Sequence, residues 1–248
     1  MIQMRKVSKS YGGAVKAVDS IDLDVRRGEI FGFLGPNGAG KTTSIKMITG
    51  ILTPDSGDIL VNGRDIRKEA LAVKRSFGFV PDDPNIFPRL KAIEYLRFMG
   101  DIYQVPTDRR RERIQELTER FSLDEALTDR IQSYSHGMRQ KLMIIGALLH
   151  DPELWILDEP MTGLDPKSAF VLKEMMRTQA DSGKTVFFST HVLDVAEKIC
   201  DRVAVIDRGR ILFCGSIGDM QRQFRQDGSL ETMFLELVNH SETAGDPA

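Results

Sequence analysis

Apolar and polar residues alternate over residues 2–8 and 15–25, as on a strand with one face buried and the other wet. In the second stretch Val15, Ala17, Ile21, Leu23 and Val25 all fall on odd positions. Together the two stretches predict a small N-terminal antiparallel β subdomain. Residues 29–34 break the alternation. Ile30, Phe31, Phe33 and Leu34 form a nearly continuous apolar run, the pattern of a strand covered on both faces in a parallel sheet. A glycine-rich segment follows, and residues 41–51 read as a helix. Residues 58–62 and 77–80 are short strands, closed by turns at Pro81, Pro84 and Pro88.

From about residue 90 to residue 149 the pattern turns helical, with helices at 90–103, 107–121 and 137–149. Ile114, Leu117 and Phe121 recur three and four apart, and the basic run 109–113 lies on the solvent side of that helix. Strand-like runs return at 154–157 and 185–188, each followed by a helical pattern, 167–180 and 193–200. Strands alternating with helices imply parallel βαβ units. Residues 202–206 and 210–214 flank Asp207-Arg208-Gly209, a hairpin signal. Residues 221–248 are assigned to a short helical tail whose polar end, 241–248, should fray. The expected fold is α/β, with a mostly parallel sheet, the antiparallel β subdomain and an inserted helical subdomain at about 90–149.

Length sharpens this division. At roughly 150 residues per domain, 248 residues fall between one domain and two, which suits a single core at 1–220 carrying an insert. Charge narrows the partners: a net charge of −2 and a pI near 6.1 give no electrostatic footprint for nucleic acid. No apolar run approaches the ~18 residues of a membrane span, and residues 142–149 supply only eight. The N-terminus lacks the apolar region of a signal peptide. Cys200 and Cys214 have no metal-binding spacing. An intracellular soluble chain without direct lipid insertion is the expectation.

Gly35-Pro36-Asn37-Gly38-Ala39-Gly40-Lys41-Thr42-Thr43 matches G-x-x-x-x-G-K-[ST] and lies between a buried strand and a helix. Backbone N–H groups wrap a polyphosphate closely only where side chains are missing, hence the glycines. The following helix points its N-terminus at the phosphates. Lys41 is placed to reach the β- and γ-phosphates, and the Thr42 hydroxyl to ligate Mg²⁺. Residues 154–157 form an apolar strand ending in Asp158 and Glu159. Ligands of open α/β sheets sit beyond the carboxyl ends of strands, so Asp158 is placed to hold Mg²⁺ and Glu159 to act as general base on water. A strand-end acid can also simply cap the turn that follows, here 160–163. Lys41 with Asp158 describes a P-loop NTPase with a RecA-like core. No N-K-x-D guanine-reading motif is present.

Tyr134-Ser135-His136-Gly137-Met138-Arg139-Gln140-Lys141 resembles the L-S-G-G-Q signature of ABC ATPases in variant form. Ser135 and Gly137 stand where the signature serine and second glycine stand. His136 replaces the first glycine, Tyr134 the leucine and Met138 the glutamine. A serine hydroxyl and bare N–H groups at a helix start make a second anion site. Other positions agree with the resemblance. Thr162-Gly163-Leu164-Asp165-Pro166 looks like the D-loop, His191 like the switch histidine that meets the γ-phosphate, and Tyr11 like the aromatic residue that stacks on adenine. Asp82 stands where the family has its Q-loop glutamine, and an acid there can still ligate Mg²⁺.

The resemblance covers roughly residues 2–220. It implies an ATPase with ATP and Mg²⁺ sandwiched between Lys41 of one subunit and Ser135 of a second, identical or closely related subunit. It also implies separate transmembrane permease subunits, with this chain on the cytoplasmic face of the membrane. Residues 82–103 offer Ile86, Phe87, Leu90, Tyr95 and Phe98 either for docking a permease or for the core of the helical subdomain. The variant signature and the acid at 82 resemble the ABC-2-type export branch. The alternative is a soluble ABC ATPase acting on nucleic acid or ribosomes. The 94 residues from Lys41 to Ser135 leave no room for the long coiled coil of chromosome and repair ATPases.

Overall fold

The computed structural model describes residues 1–12, 15–84, 87–224 and 229–244. The chain opens with β1 (Ile2–Tyr11) and β2 (Val15–Val25), then β3 (Ile30–Leu34) and α1 (Lys41–Ile48). Next come β4 (Ser56–Val61), the two-residue β5 (Arg64–Asp65), α2 (Ala70–Arg75) and β6 (Phe77–Val80). Three helices follow without a strand between them: α3 (Ala92–Ile102), α4 (Thr107–Arg120) and α5 (His136–Leu148). The chain then alternates through β7 (Leu154–Leu157), α6 (Pro166–Asp181), β8 (Thr185–Thr190) and α7 (Leu193–Ile199). It ends with β9 (Arg202–Asp207), β10 (Arg210–Gly215), α8 (Ile217–Phe224) and α9 (Leu230–Ala244).

Two sheets result. The first is antiparallel, in the order β2-β1-β4-β5. The second has six strands in the order β10-β9-β3-β8-β7-β6, all parallel except the terminal β10. The fold is therefore α/β with a mostly parallel sheet, a separate antiparallel sheet and a helical insertion between β6 and β7. Both faces of the central strands are apolar, and neighbouring residues feed opposite cores. Trp155, Leu157, Val186 and Phe188 pack with α3, α4, α5 and α6 on one side. Leu154, Ile156, Phe187, Phe31 and Phe33 pack with α1 and the antiparallel sheet on the other.

Differences from the sequence reading have local causes. In β2, Val18 is buried while Ala17 is only half-buried, against the odd-position rule. Irregular pairing between Val7↔Ile21 and Lys9↔Val18, with Ser20 at φ 50°, shifts the phase by one residue. The short α2 and β5 lack any periodic signal at their length. The hairpin closes as expected, with Arg208 and Gly209 both at positive φ. The sequence-assigned tail falls partly on residues 225–228 and 245–248, which lie outside the described residues. Its helices pack back through Met220, Leu230 and Met233 onto Val203, Val205 and Phe213.

Phe187 is fully buried and stacks on Phe31 at 5.9 Å with Phe33 at 5.6 Å. Phe187→Ala should cost about 3–5 kcal/mol, read as a lower urea midpoint at unchanged m-value.

Candidate active site

The site is built from strand ends. Parallel registers pair Leu34 with Thr190 and Leu157 with Phe188, so β3, β8 and β7 terminate at one edge. Beyond them lie the glycine-rich loop, His191, and Asp158 with Glu159. Val80 pairs with Leu157 and accepts the Asp158 N–H at 2.8 Å, which brings the β6 end and Asp82 to the same edge. Pro36, Asn37, Gly38, Gly40, Lys41, Thr42, Thr43, Asp82 and Glu159 line one cleft of about 200 Å³, with Ala17 from β2 as its further wall.

Gly40 precedes α1 at φ 109°, and a Cβ there would come within 2.4 Å of the Ala17 carbonyl oxygen. Only glycine fits both the dihedral and the contact. At Gly38 (φ 82°) a Cβ would meet no atom within 4 Å, so that part of the loop faces open space. Lys41 is 6% exposed, and its Nζ donates to the carbonyls of Gly35 at 2.7 Å and Pro36 at 3.2 Å. The same Nζ lies 3.4 Å from Glu159 Oε1, a buried oxygen that accepts no hydrogen bond among the described residues.

Glu159 adopts φ 47°, unusual for a non-glycine residue. Its N–H donates to Ser189 Oγ at 2.9 Å, and its Oε2 lies 3.0 Å from His191 Nδ1. Asp158 is 1% exposed and accepts hydrogen bonds from the hydroxyls of Ser189 and Thr42. Burial pushes its carboxyl above the usual range. The two hydroxyls pull it back, and the charges of Asp82 and Glu159 push it up again. Among the described residues no three His, Cys, Asp or Glu side chains form a metal cluster. Beside Glu159, the oxygen donors gathered here include Asp82, Asp158 and Thr42.

Not every sequence candidate joins this cleft. Ser135 is exposed, and its Oγ caps α5 by accepting the Met138 N–H at 3.2 Å. A Cβ on Gly137 would reach within 2.5 Å of the Gly163 carbonyl oxygen, so the start of α5 packs directly on the turn after Glu159. Asp165 caps α6 through Ser168 and pairs with Lys141 at 2.8 Å, bonds that hold its carboxyl well below the usual range. Tyr11 is half exposed at the end of β1 and does not line the cleft. Ser189 was missed. Its signal was a polar residue closing the apolar run 185–188, level with Asp158 on the neighbouring strand.

Comparison with known proteins shows the family. The family profile described as ABC transporter matches residues 18–162, more than half of the chain. The linearmycin resistance ATP-binding protein of Bacillus subtilis (strain 168) is 38% identical over 220 residues, 89% of this chain and 70% of that protein. A Nod factor export ATP-binding protein of Cupriavidus metallidurans is 40% identical over 210 residues, 85% of this chain and 69% of that protein. A solved structure described as the ATP-binding subunit of an ABC transporter superposes with a TM-score of 0.91 at 33% identity, covering 96% of this chain and 99% of that one.

The raised Asp158 carboxyl has a stability consequence. Its contribution is full below the unfolded-state pKa and is lost as pH rises through the elevated folded-state pKa. Asp158→Asn should therefore raise Tm at neutral pH, because the amide carries no charge to desolvate. The advantage should shrink as the pH is lowered in a thermal melt series.

Proposed function

The chain belongs to the ABC transporter family as an ATP-binding, ATP-hydrolysing subunit, and from that membership we propose that it powers an exporter. What carries the residue assignment is the meeting of Lys41, Asp158, Glu159 and His191 at one strand edge. In this reading residues 35–43 cradle the phosphates with backbone N–H groups, and Lys41 donates to the β- and γ-phosphate oxygens. Tyr11 supplies a stacking face for adenine. Thr42, Asp158 and Asp82 offer hard oxygen donors that suit Mg²⁺. Held by these residues, Mg²⁺ would supply positive charge to offset that of the phosphates. Glu159 takes the proton of the attacking water. Its buried Oε1 has a lone pair unspent, and His191 holds the other oxygen.

Ser135, Gly137 and Asp165 serve a second copy. They form an ordered platform that shares no lining with the cleft of their own chain. ATP then closes two such subunits head to tail, and hydrolysis releases them. The export and resistance roles named for the relatives favour an exporter and disfavour action on nucleic acid or ribosomes. No described helix is long and apolar enough to cross a membrane. The pore is then a separate permease, and this chain sits at the cytoplasmic face by binding it. Phe87, Pro88, Arg89, Leu90 and Phe98 line an apolar groove of about 520 Å³ suited to that contact. Of the sequence candidates there, Tyr95 is buried beneath Phe87 at 6.1 Å, and Ile86 lies outside the described residues.

Glu159→Gln should keep ATP binding, lower turnover by about 100- to 10,000-fold and accumulate an ATP-bound dimer on size exclusion. Unchanged turnover would refute the base assignment. Lys41→Ala should weaken nucleotide binding roughly 10- to 100-fold in a fluorescent-nucleotide titration, since it removes charge-assisted bonds to the phosphates. Cysteines at Phe87, Arg89 and Phe98 should crosslink to the permease in membranes; absence of any link would count against the groove.

A further inference from the structure

We propose that Ser189 is the positioning residue that aims the two carboxylates of the site, and that turnover depends on its hydroxyl. The inference rests on the reading of Glu159 as general base. Successive side chains of a strand point to opposite faces. Asp158 and Glu159 follow β7 directly, so continued strand geometry would turn one of them away from the cleft. The chain avoids this by leaving the β region at Glu159, whose φ is 47°. A non-glycine residue stays in that conformation only where its surroundings hold it.

The hold comes from one fully buried oxygen on the neighbouring strand. Ser189 Oγ accepts the Glu159 N–H at 2.9 Å and donates its own proton to Asp158 Oδ1. The hydroxyl has one proton and uses it on Asp158, and a lone pair takes the amide. The bonds fix the backbone of the base and the side chain of its neighbour relative to each other. Thr162 N–H closes the same turn onto the Glu159 carbonyl at 3.1 Å. The strand carrying Ser189 also pairs with β3, Phe33 opposite Ser189, so the carboxylates are referenced to the strand that launches the phosphate loop.

Ser189→Thr and Ser189→Val have the same shape and differ by the hydroxyl. Ser189→Thr should keep kcat within about 3-fold of the parent. Ser189→Val should lower kcat at least ~10-fold, with KM and fluorescent-nucleotide affinity within about 2-fold. The Glu159 amide should exchange its hydrogen ~10-fold faster in the valine variant than in the threonine one. In a Glu159→Gln background, Ser189→Val should add less than its full loss, because part of its effect acts through the base. Equal kcat in the two variants, or full additivity with Glu159→Gln, would overturn the proposal. If the valine variant fails to fold, Ser189→Ala against Ser189→Thr is read by the same criteria. Turnover that survives Glu159→Gln sinks the general-base reading itself. A collapse there, with Ser189→Val unaffected, sinks only the role of Ser189.

Discussion

The in-register parallel pairing of β3, β8 and β7 is the constraint on which the rest depends. Leu34 opposite Thr190 and Phe188 opposite Leu157 bring three chain ends to one line. A slip of one residue would exchange the faces of every side chain on the slipped strand. Trp155 and Leu157 would then meet the core that now takes Leu154 and Ile156. Because both faces are packed, the register that satisfies the cores is also the one that assembles the cleft. Packing energy thus fixes the relative positions of groups that make few strong contacts with one another.

Electrostatics works against the fold at that same edge. Asp82, Asp158 and Glu159 converge where Lys41 Nζ lies 3.4 Å from Glu159. Burial makes the ionised form of Asp158 costly, and the nearby acids add to that cost. A polyphosphate alone would increase the excess of negative charge, whereas a divalent cation offsets it. The cluster therefore suits nucleotide that arrives with its metal. It also explains why Thr42 and Ser189 both donate to Asp158: hydroxyls stabilise the carboxylate without contributing a positive charge that would compete with the cation.

Much of this was legible in the chain. The buried run at 30–34, the loop 35–43 and the acids closing 154–157 announced a sheet edge that binds phosphate, because each is a short contiguous pattern with a mechanism. The helical insertion showed itself through periodicity at Ile114, Leu117 and Phe121. What escaped was non-local or too short to have a period. The bulge that buries Val18 follows from pairing with β1, not from β2 itself. Ser189 matters because Asp158, distant in sequence, lies beside it on the next strand. For Tyr95 the sequence leaves docking and core both open, and the structure selects core because Gly146 of α5 leaves the space its ring fills.

The turn after Glu159 joins the two halves of the site within one chain. Glu159 bonds Thr162, and the next residue, Gly163, presents its carbonyl oxygen where a Cβ of Gly137 would lie 2.5 Å away. His136 crowds Gly163 from the other side, since a Cβ there would meet its ring nitrogen within 2.2 Å. With no slack at either contact, a displacement of the Glu159 turn has to move the start of α5 and Ser135 with it, or break the packing. Lys141 and Asp165 add an ion pair between α5 and the cap of α6. The platform proposed to meet a second nucleotide is therefore mechanically continuous with the residue proposed to activate the water that attacks the first. Four residues, 160–163, and one close backbone contact separate them.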